Sequence, residues 1–271
     1  MKLKQLLLKP SKVSLRDKAI LLAHLLKTNH KELYLMEEVE APSHIEIAFL
    51  QGLKKLEEGY PLQYLIGEWD FYGKTFSVQE GVLIPRPETE VLVEEVLKRL
   101  PLYGELVGLE IGVGSGCISI TLLLLRENLK MVGNDVSLKA LSLTKRNAEK
   151  HGVYQRLLLF CGDLFEAIKP KEFDFVVSNP PYIPASMWQS LPEGVKLEGY
   201  NSLIGGVEGC EFYQRFNRSL DKYLKKGGFF AFEIGHDQGS VVKSIFEGSG
   251  YQVQVIKDLS GKDRVVVGWK L

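Results

Sequence analysis

The run Leu109-Glu110-Ile111-Gly112-Val113-Gly114-Ser115-Gly116 sets the fold. An apolar stretch ends in three glycines at alternate positions, and further apolar residues follow from Ile118 to Leu125. The pattern predicts a strand over 106–111, a tight turn, and a helix over 118–125 whose N-terminus is open to close approach by a ligand. The same alternation continues downstream, with strands expected at 130–135, 157–161, 173–178 and 229–233 and helices at 138–151, 211–224 and 240–247. Alternation of this length means βαβ units and an α/β fold with a doubly wound, mostly parallel sheet. The last two strands, 253–258 and 264–269, are joined by the short loop Ser260-Gly261-Lys262-Asp263. That loop has no room for a crossover helix, so the two must pair antiparallel.

Upstream, Pro85-Arg86-Pro87-Glu88 starts a helix with Val93, Val96, Leu97 and Leu100 as its apolar face and Glu88 and Glu90 near its positive end. The stretch from Phe71 to Ile84 reads as a hairpin turning near Glu80-Gly81. From Met1 to about Gly59 apolar residues recur at helical steps, through Leu21, Leu22, Leu25 and Leu26 and again through Ile45, Phe49, Leu50, Leu53 and Leu56. Ser14 with Asp17, and Ser43 with Glu46, have capping-box spacing. The expected organisation is a helical, partner-docking domain over 1–70, a linking hairpin over 71–86, and an α/β domain over 87–271. His24, His30 and His44 are isolated and read as surface or core residues rather than ligands.

Composition narrows the function classes. In 271 residues, 34 Lys+Arg balance 34 Asp+Glu, so the chain as a whole is no electrostatic trap for nucleic acid. Cys117, Cys161 and Cys210 are too scattered for a disulfide framework or a zinc site, and they read as buried thiols of a reducing compartment, with no metal expected. Leu6-Leu7-Leu8 is too short for a signal peptide, and no uncharged apolar run reaches the ~18 residues of a membrane span. The expected location is the cytoplasm.

The chemistry gathers at successive strand ends. A dinucleotide fingerprint would want glycine or alanine at 117, where Cys117 stands, so Gly112, Val113, Gly114, Ser115 and Gly116 are closer to the loop of S-adenosylmethionine enzymes. Asp135, ending the next strand, is placed to accept hydrogen bonds from two ribose hydroxyls. Asp163, Leu164 and Phe165 offer a carboxylate for an exocyclic amine and an apolar wall for an adenine ring. After Phe173-Asp174-Phe175-Val176-Val177-Ser178 comes Asn179-Pro180-Pro181-Tyr182, where two prolines must stop the strand. Taken alone the tetrapeptide is either a tight turn or a preformed pocket for an NH₂ group. Its place downstream of the glycine loop favours the pocket, with Asn179 Oδ1 and the Pro180 carbonyl as acceptors and Pro181 as a rigid stop. Tyr182 either stacks on the bound planar group or packs under the loop.

With these residues in hand, the chain resembles the protein-(glutamine-N5) methyltransferases that modify bacterial peptide chain release factors. The likeness runs through Pro61-Leu62-Gln63-Tyr64, Gly67-Glu68-Trp69-Asp70-Phe71-Tyr72-Gly73, Ile84-Pro85-Arg86-Pro87-Glu88-Thr89-Glu90, the glycine loop, Asn179-Pro180-Pro181-Tyr182, Glu233-Ile234-Gly235-His236-Asp237-Gln238-Gly239 and Asp258-Leu259-Ser260-Gly261-Lys262-Asp263-Arg264. It implies a class I methyltransferase sheet, S-adenosylmethionine as cofactor with S-adenosylhomocysteine as product, and the glutamine of the release factor's Gly-Gly-Gln motif as substrate. It further implies that the helical module helps hold the factor, with neither membrane nor direct nucleic-acid binding required. One departure stands out: where the family usually has Glu-Pro before a glycine-rich turn, this chain has Glu198-Gly199-Tyr200-Asn201 leading into Gly205-Gly206. Three other readings stay open at this level. A ribosomal-protein glutamine or an exocyclic amine of a nucleic-acid base makes the same demand on the motif. A non-catalytic adenosyl-ligand sensor would share the glycine loop, but needs no acceptors aimed at a methyl donor.

Overall fold

A computed structural model describes residues 1–166 and 168–270. The expected domain end at Leu271 and the side chain of His30 lie outside the described residues. Contacts divide the chain into two units, Met1–Glu68 with Pro192–Leu197, and Trp69–Leu191 with Glu198–Leu271.

The first unit is helical: α1 (Leu3–Leu7), α2 (Leu15–Leu26), α3 (His30–Leu35), α4 (Ser43–Glu57) and α5 (Leu62–Ile66). Leu6, Leu21, Leu22, Phe49 and Leu53 form its core. Ser14 caps α2 by accepting from the Asp17 N–H. The matching expectation at Ser43 is corrected, because Pro42 is the N-cap of α4 and Ser43 already lies inside the helix.

The second unit opens with strands β1 (Glu68–Phe71) and β2 (Lys74–Ser77), a hairpin turning at Tyr72-Gly73. The turn expected at Glu80-Gly81 is therefore corrected. Beyond Val78 the backbone donors go elsewhere: Val82 N–H bonds back to the Gln79 carbonyl, and Ile84 N–H reaches the Glu198 carboxylate. Then follow α6 (Thr89–Arg99), β3 (Leu106–Ile111), α7 (Cys117–Leu125), β4 (Leu129–Asp135), α8 (Leu138–Lys150), β5 (Leu157–Cys161), β6 (Phe173–Ser178) and β7 (Ile183–Pro184). The remaining elements are α9 (Glu193–Lys196), which belongs to the first unit, α10 (Tyr200–Leu203), β8 (Ile204–Gly206), α11 (Glu211–Ser219), β9 (Leu224–Glu233), α12 (Gly239–Glu247), β10 (Gln252–Lys257) and β11 (Asp263–Trp269). The helix expected over 211–224 stops at Ser219, and β9 starts at Leu224 rather than Phe229, because Leu224 pairs with Phe173. Of the three thiols expected to be buried, Cys117 and Cys210 are, whereas Cys161, the last residue of the edge strand β5, is exposed.

The main sheet has the order β10-β11-β9-β6-β3-β4-β5. β11 runs antiparallel to β10, as the short final loop requires, and also to β9, and the other pairings are parallel. Side chains alternate across it. Phe229, Ala231, Val265 and Val267 enter the core shared with α6 and α7, whereas Phe230, Phe232 and Val266 enter the core shared with α11 and α12. Burial on both faces explains why these strands read as continuous apolar runs. The strand order reverses between β3 and β6, and in such sheets the crevice at the carboxyl ends of those two strands is the ligand site. The glycine loop follows β3 there, and Asn179 follows β6.

Candidate active site

At that edge a cavity of about 760 Å³ is lined wholly by residues of the second unit. Its floor is the loop from Gly112 to Ser115. Gly112, Gly114 and Gly116 have φ of 73°, 55° and 81°, a region side chains rarely adopt. The loop is fixed from behind: Gly112 and Val113 N–H bond to the Asn134 carbonyl, Thr144 Oγ1 donates to the Gly114 carbonyl, and Asn147 Nδ2 donates to that of Ser115. Gly116 does not line the cavity. A Cβ there would sit 2.7 Å from Thr144 Cγ2, so its glycine serves close packing of α7 on α8.

Asp135 lines the cavity with both carboxylate oxygens held by backbone, Oδ2 accepting from Gly114 N–H at 3.0 Å and Oδ1 from Ser137 N–H at 2.9 Å. Each oxygen keeps a further lone pair for a ligand. Burial raises its pKa despite these donors. Asp163 and Leu164 also line the cavity. Asp163 is ion-paired with Arg215 of α11, at 2.6 Å, a pairing that no local sequence signal announces. Phe165 is corrected: it turns into the core and stacks on Tyr223, with centroids 4.6 Å apart, and the apolar wall is instead made with Phe212 and Phe216.

Glu110 was not singled out from the sequence. It is 1% exposed, lines the cavity, and accepts at Oε2 from the Ser119 N–H and hydroxyl, while Oε1 has no partner among the described residues. Burial pushes its carboxyl up to about 8. The available signal was an acid inside an otherwise apolar strand.

Asn179, Pro180 and Pro181 line the opposite wall. Ser178 Oγ donates to the Ile111 carbonyl at 2.7 Å, tying the end of β6 to the end of β3. Asn179 Nδ2 donates to Thr89 Oγ1 at 3.2 Å, leaving Oδ1 as the free acceptor of the carboxamide. Among the described residues no hydrogen bond reaches the Pro180 carbonyl. Tyr182 lies outside the lining. Its ring packs against the core beneath the loop, its phenol is pushed up to about 12 by burial and then by the Glu233 charge, and its carbonyl accepts from Gln238 Nε2 at 3.0 Å. Of the two sequence readings of Tyr182, the packing one therefore fits the geometry.

The departure at Glu198 also acquires a structure. Glu198 is 1% exposed and ion-paired with Arg86, and its Oε2 accepts the Ile84 N–H at 3.3 Å. The strap at 81–86 and the loop at 199–204, both of which line the cavity, are thereby latched together. Strand β8 pairs with β7, and Gly205 allows this, since a Cβ there would lie 2.5 Å from the Pro181 carbonyl oxygen.

Residues 87–189 match the family model of the methyltransferase small domain, and residues 6–67 match that of the PrmC N-terminal domain. The release factor glutamine methyltransferase of Aquifex aeolicus is 48% identical over 98% of this chain and 95% of its own length. That of Bacillus anthracis is 40% identical over 91% and 89%. Among solved structures, a methyltransferase from Pyrococcus furiosus superposes with a TM-score of 0.56 at 19% identity, covering 84% of this chain and 99% of that one, a likeness of fold alone.

Proposed function

The chain belongs to the release factor glutamine methyltransferases, and from that premise we propose that its cavity binds S-adenosylmethionine and presents Asn179 Oδ1 and the Pro180 carbonyl to the side-chain amide of the glutamine in the factor's Gly-Gly-Gln motif. When bound, that cofactor supplies an electrophilic methyl group on a sulfonium centre. Glu110 is the observation that the residues fit it: an unpaired buried carboxyl oxygen in the cavity complements a cationic ligand. Asp135 would take the ribose hydroxyls on its spare lone pairs, and Leu164, Phe212 and Phe216 would wall the adenine. Asp163, steered by Arg215, would accept from the exocyclic amine.

An amide nitrogen is a poor nucleophile because its lone pair is delocalised, and the Asn179-Pro180-Pro181-Tyr182 turn supplies no strong base. Two acceptors gripping both N–H groups orient the nitrogen and stabilise the positive charge that grows on it, so positioning carries the catalysis. The single observation behind this assignment is the commitment of Asn179 Nδ2 to Thr89, which turns the acceptor end of the carboxamide to the substrate. The helical first unit is assigned the docking of the release factor, which in turn puts the enzyme in the cytoplasm. The test is incubation with labelled S-adenosylmethionine and a panel of release factor, ribosomal protein and DNA, followed by fragment mapping. Label on the amide nitrogen of the release factor glutamine is expected. Label confined to ribosomal protein or DNA would overturn the assignment.

A further inference from the structure

The side chain of Asn134 has no part in the mechanism above. The residue is next to last in β4, is 1% exposed, and lines the cavity beside Asp135. Its Nδ2 donates twice, to the Gly162 carbonyl at 3.1 Å and to the Leu164 carbonyl at 2.6 Å, across 28 and 30 residues of chain. Both partners are carbonyl oxygens, which only accept, so the amino end must face them and the carboxamide has a single orientation. Its Oδ1 is buried and has no partner among the described residues. An apolar residue would fill this position without leaving an acceptor bare, so the double clasp is what an asparagine adds here.

The clasp closes a turn that the backbone alone disfavours. Leu164 has φ 47°, a left-handed conformation that a residue with a Cβ resists. The turn is also tied by Gly162 N–H, which donates to the Asp135 carbonyl at 3.1 Å, and by Arg215, which holds Asp163 Oδ2 at 2.6 Å. Asn134 carries the neighbouring ligand segment on its main chain, because its carbonyl accepts from Gly112 and Val113 N–H at 2.9 Å each. One residue thus joins the glycine loop to the Asp163-Leu164 turn. We propose that Asn134 is a positioning residue for the adenine end of the cofactor: it holds Leu164 in the left-handed conformation and so fixes the Asp163 carboxylate and the Leu164 side chain against the ring. This inference rests on the reading of Asp163 and Leu164 as the adenine subsite. Removing the side-chain donors leaves the main-chain bonds to the glycine loop in place, so the effect falls on adenine recognition and not on the wall at Asn179.

The test compares the full chain with three variants. Asn134→Asp keeps the shape but puts acceptors against both carbonyls, Asn134→Leu removes hydrogen bonding altogether, and the milder Asn134→Ser can serve one carbonyl at most. Thermal melts and amide hydrogen exchange are measured on the cofactor-free proteins. Calorimetry gives the affinity for S-adenosylmethionine and for its inosine analogue, in which a carbonyl oxygen replaces the exocyclic amine, and kcat and KM on release factor are taken at saturating S-adenosylmethionine. Exchange over residues 162–166 is expected to quicken. The preference for adenine over inosine is expected to fall by about 10-fold or more in Asn134→Asp and Asn134→Leu and by less in Asn134→Ser, with kcat within about 2-fold of wild type. A role in stability alone would lower the melting temperature and leave the preference unmoved. Because glycine takes a positive φ freely, Asn134→Leu should also cost less affinity on a Leu164→Gly background than on wild type. A folded variant that keeps the wild-type adenine preference, or equal costs of Asn134→Leu on the two backgrounds, would overturn the proposal. Equal binding of the adenine and inosine forms by wild type would sink the adenine reading itself, whereas a wild-type preference that survives in the variants sinks only the role of Asn134, and the two failures are thereby told apart.

Discussion

Replacing Glu110 by Gln should make the cofactor-free protein more stable at alkaline pH while weakening its grip on S-adenosylmethionine. The wild-type carboxyl is buried, one oxygen is unpartnered, and its pKa rises from the ordinary 4.5 to about 8. A carboxyl that holds its proton more tightly folded than unfolded contributes stability that is fully present below the unfolded value. That contribution is lost as pH rises through the folded value. Each unit of pH across this window is worth at most about 1.4 kcal/mol, so the ionised group costs on the order of 3–5 kcal/mol by pH 8.5, a ceiling that relaxation of the site reduces. Gln carries no charge and escapes this loss. At pH 5 the two proteins should melt within a few degrees of each other. At pH 8.5 the variant should melt higher, by roughly 2–4 °C for each kcal/mol regained. Calorimetry at pH 7.5 in buffers of different ionisation enthalpy should show wild type releasing a proton on binding the cationic cofactor and the variant releasing none. Equal melting offsets at both pH values, with equal affinity and proton release, would refute the reasoning.

Asp135→Ala should weaken S-adenosylmethionine binding by about 1.5–3 kcal/mol, the range of charge-assisted hydrogen bonds, and unchanged calorimetric affinity would remove Asp135 from the site. Glu198→Ala breaks the latch to Arg86 and Ile84; Arg86 is partly exposed, so solvent screens the loss to about 1–3 kcal/mol, read as a lower Tm with a raised KM for release factor. A protein beginning at Trp69 should still bind the cofactor but methylate intact release factor poorly; wild-type rates from it would make the helical unit dispensable.

The parts of the site legible in the sequence are those encoded locally. Glycines that need positive φ, prolines that stop a strand and an acid at a strand end each announce themselves within a few residues, which is why Gly112, Asp135 and Asn179 sit at the carboxyl edge as expected. The antiparallel end of the sheet was legible because loop length alone decides it. What escaped depends on partners far along the chain. Arg215 reaches Asp163 across 52 residues, Arg86 meets Glu198 across 112, and Thr89 meets Asn179 across 90. Phe165 was misassigned because an aromatic beside a strand end fits a ligand wall and a core equally well, and only the position of Tyr223 decides between them. The hairpin turn falls at Gly73 rather than Gly81 although both are plausible turn residues, and in the later segment Val82 N–H bonds locally to Gln79 while Ile84 N–H bonds to Glu198, 114 residues along the chain.

The most direct test of positioning by Asn179 is single-turnover methylation of release factor by Asn179→Ala and Asn179→Asp, with thermal melts and cofactor affinity measured on the same samples. Asn179→Ala should bind cofactor normally and slow transfer on the order of 10²-fold or more, as for other preorganised transition-state contacts. Asn179→Asp keeps the acceptor and loses the Nδ2 donor that anchors it to Thr89, and it should fall between Asn179→Ala and wild type. Lowered melting temperature in both variants with unchanged turnover per folded molecule would mean that Asn179 only ends the strand.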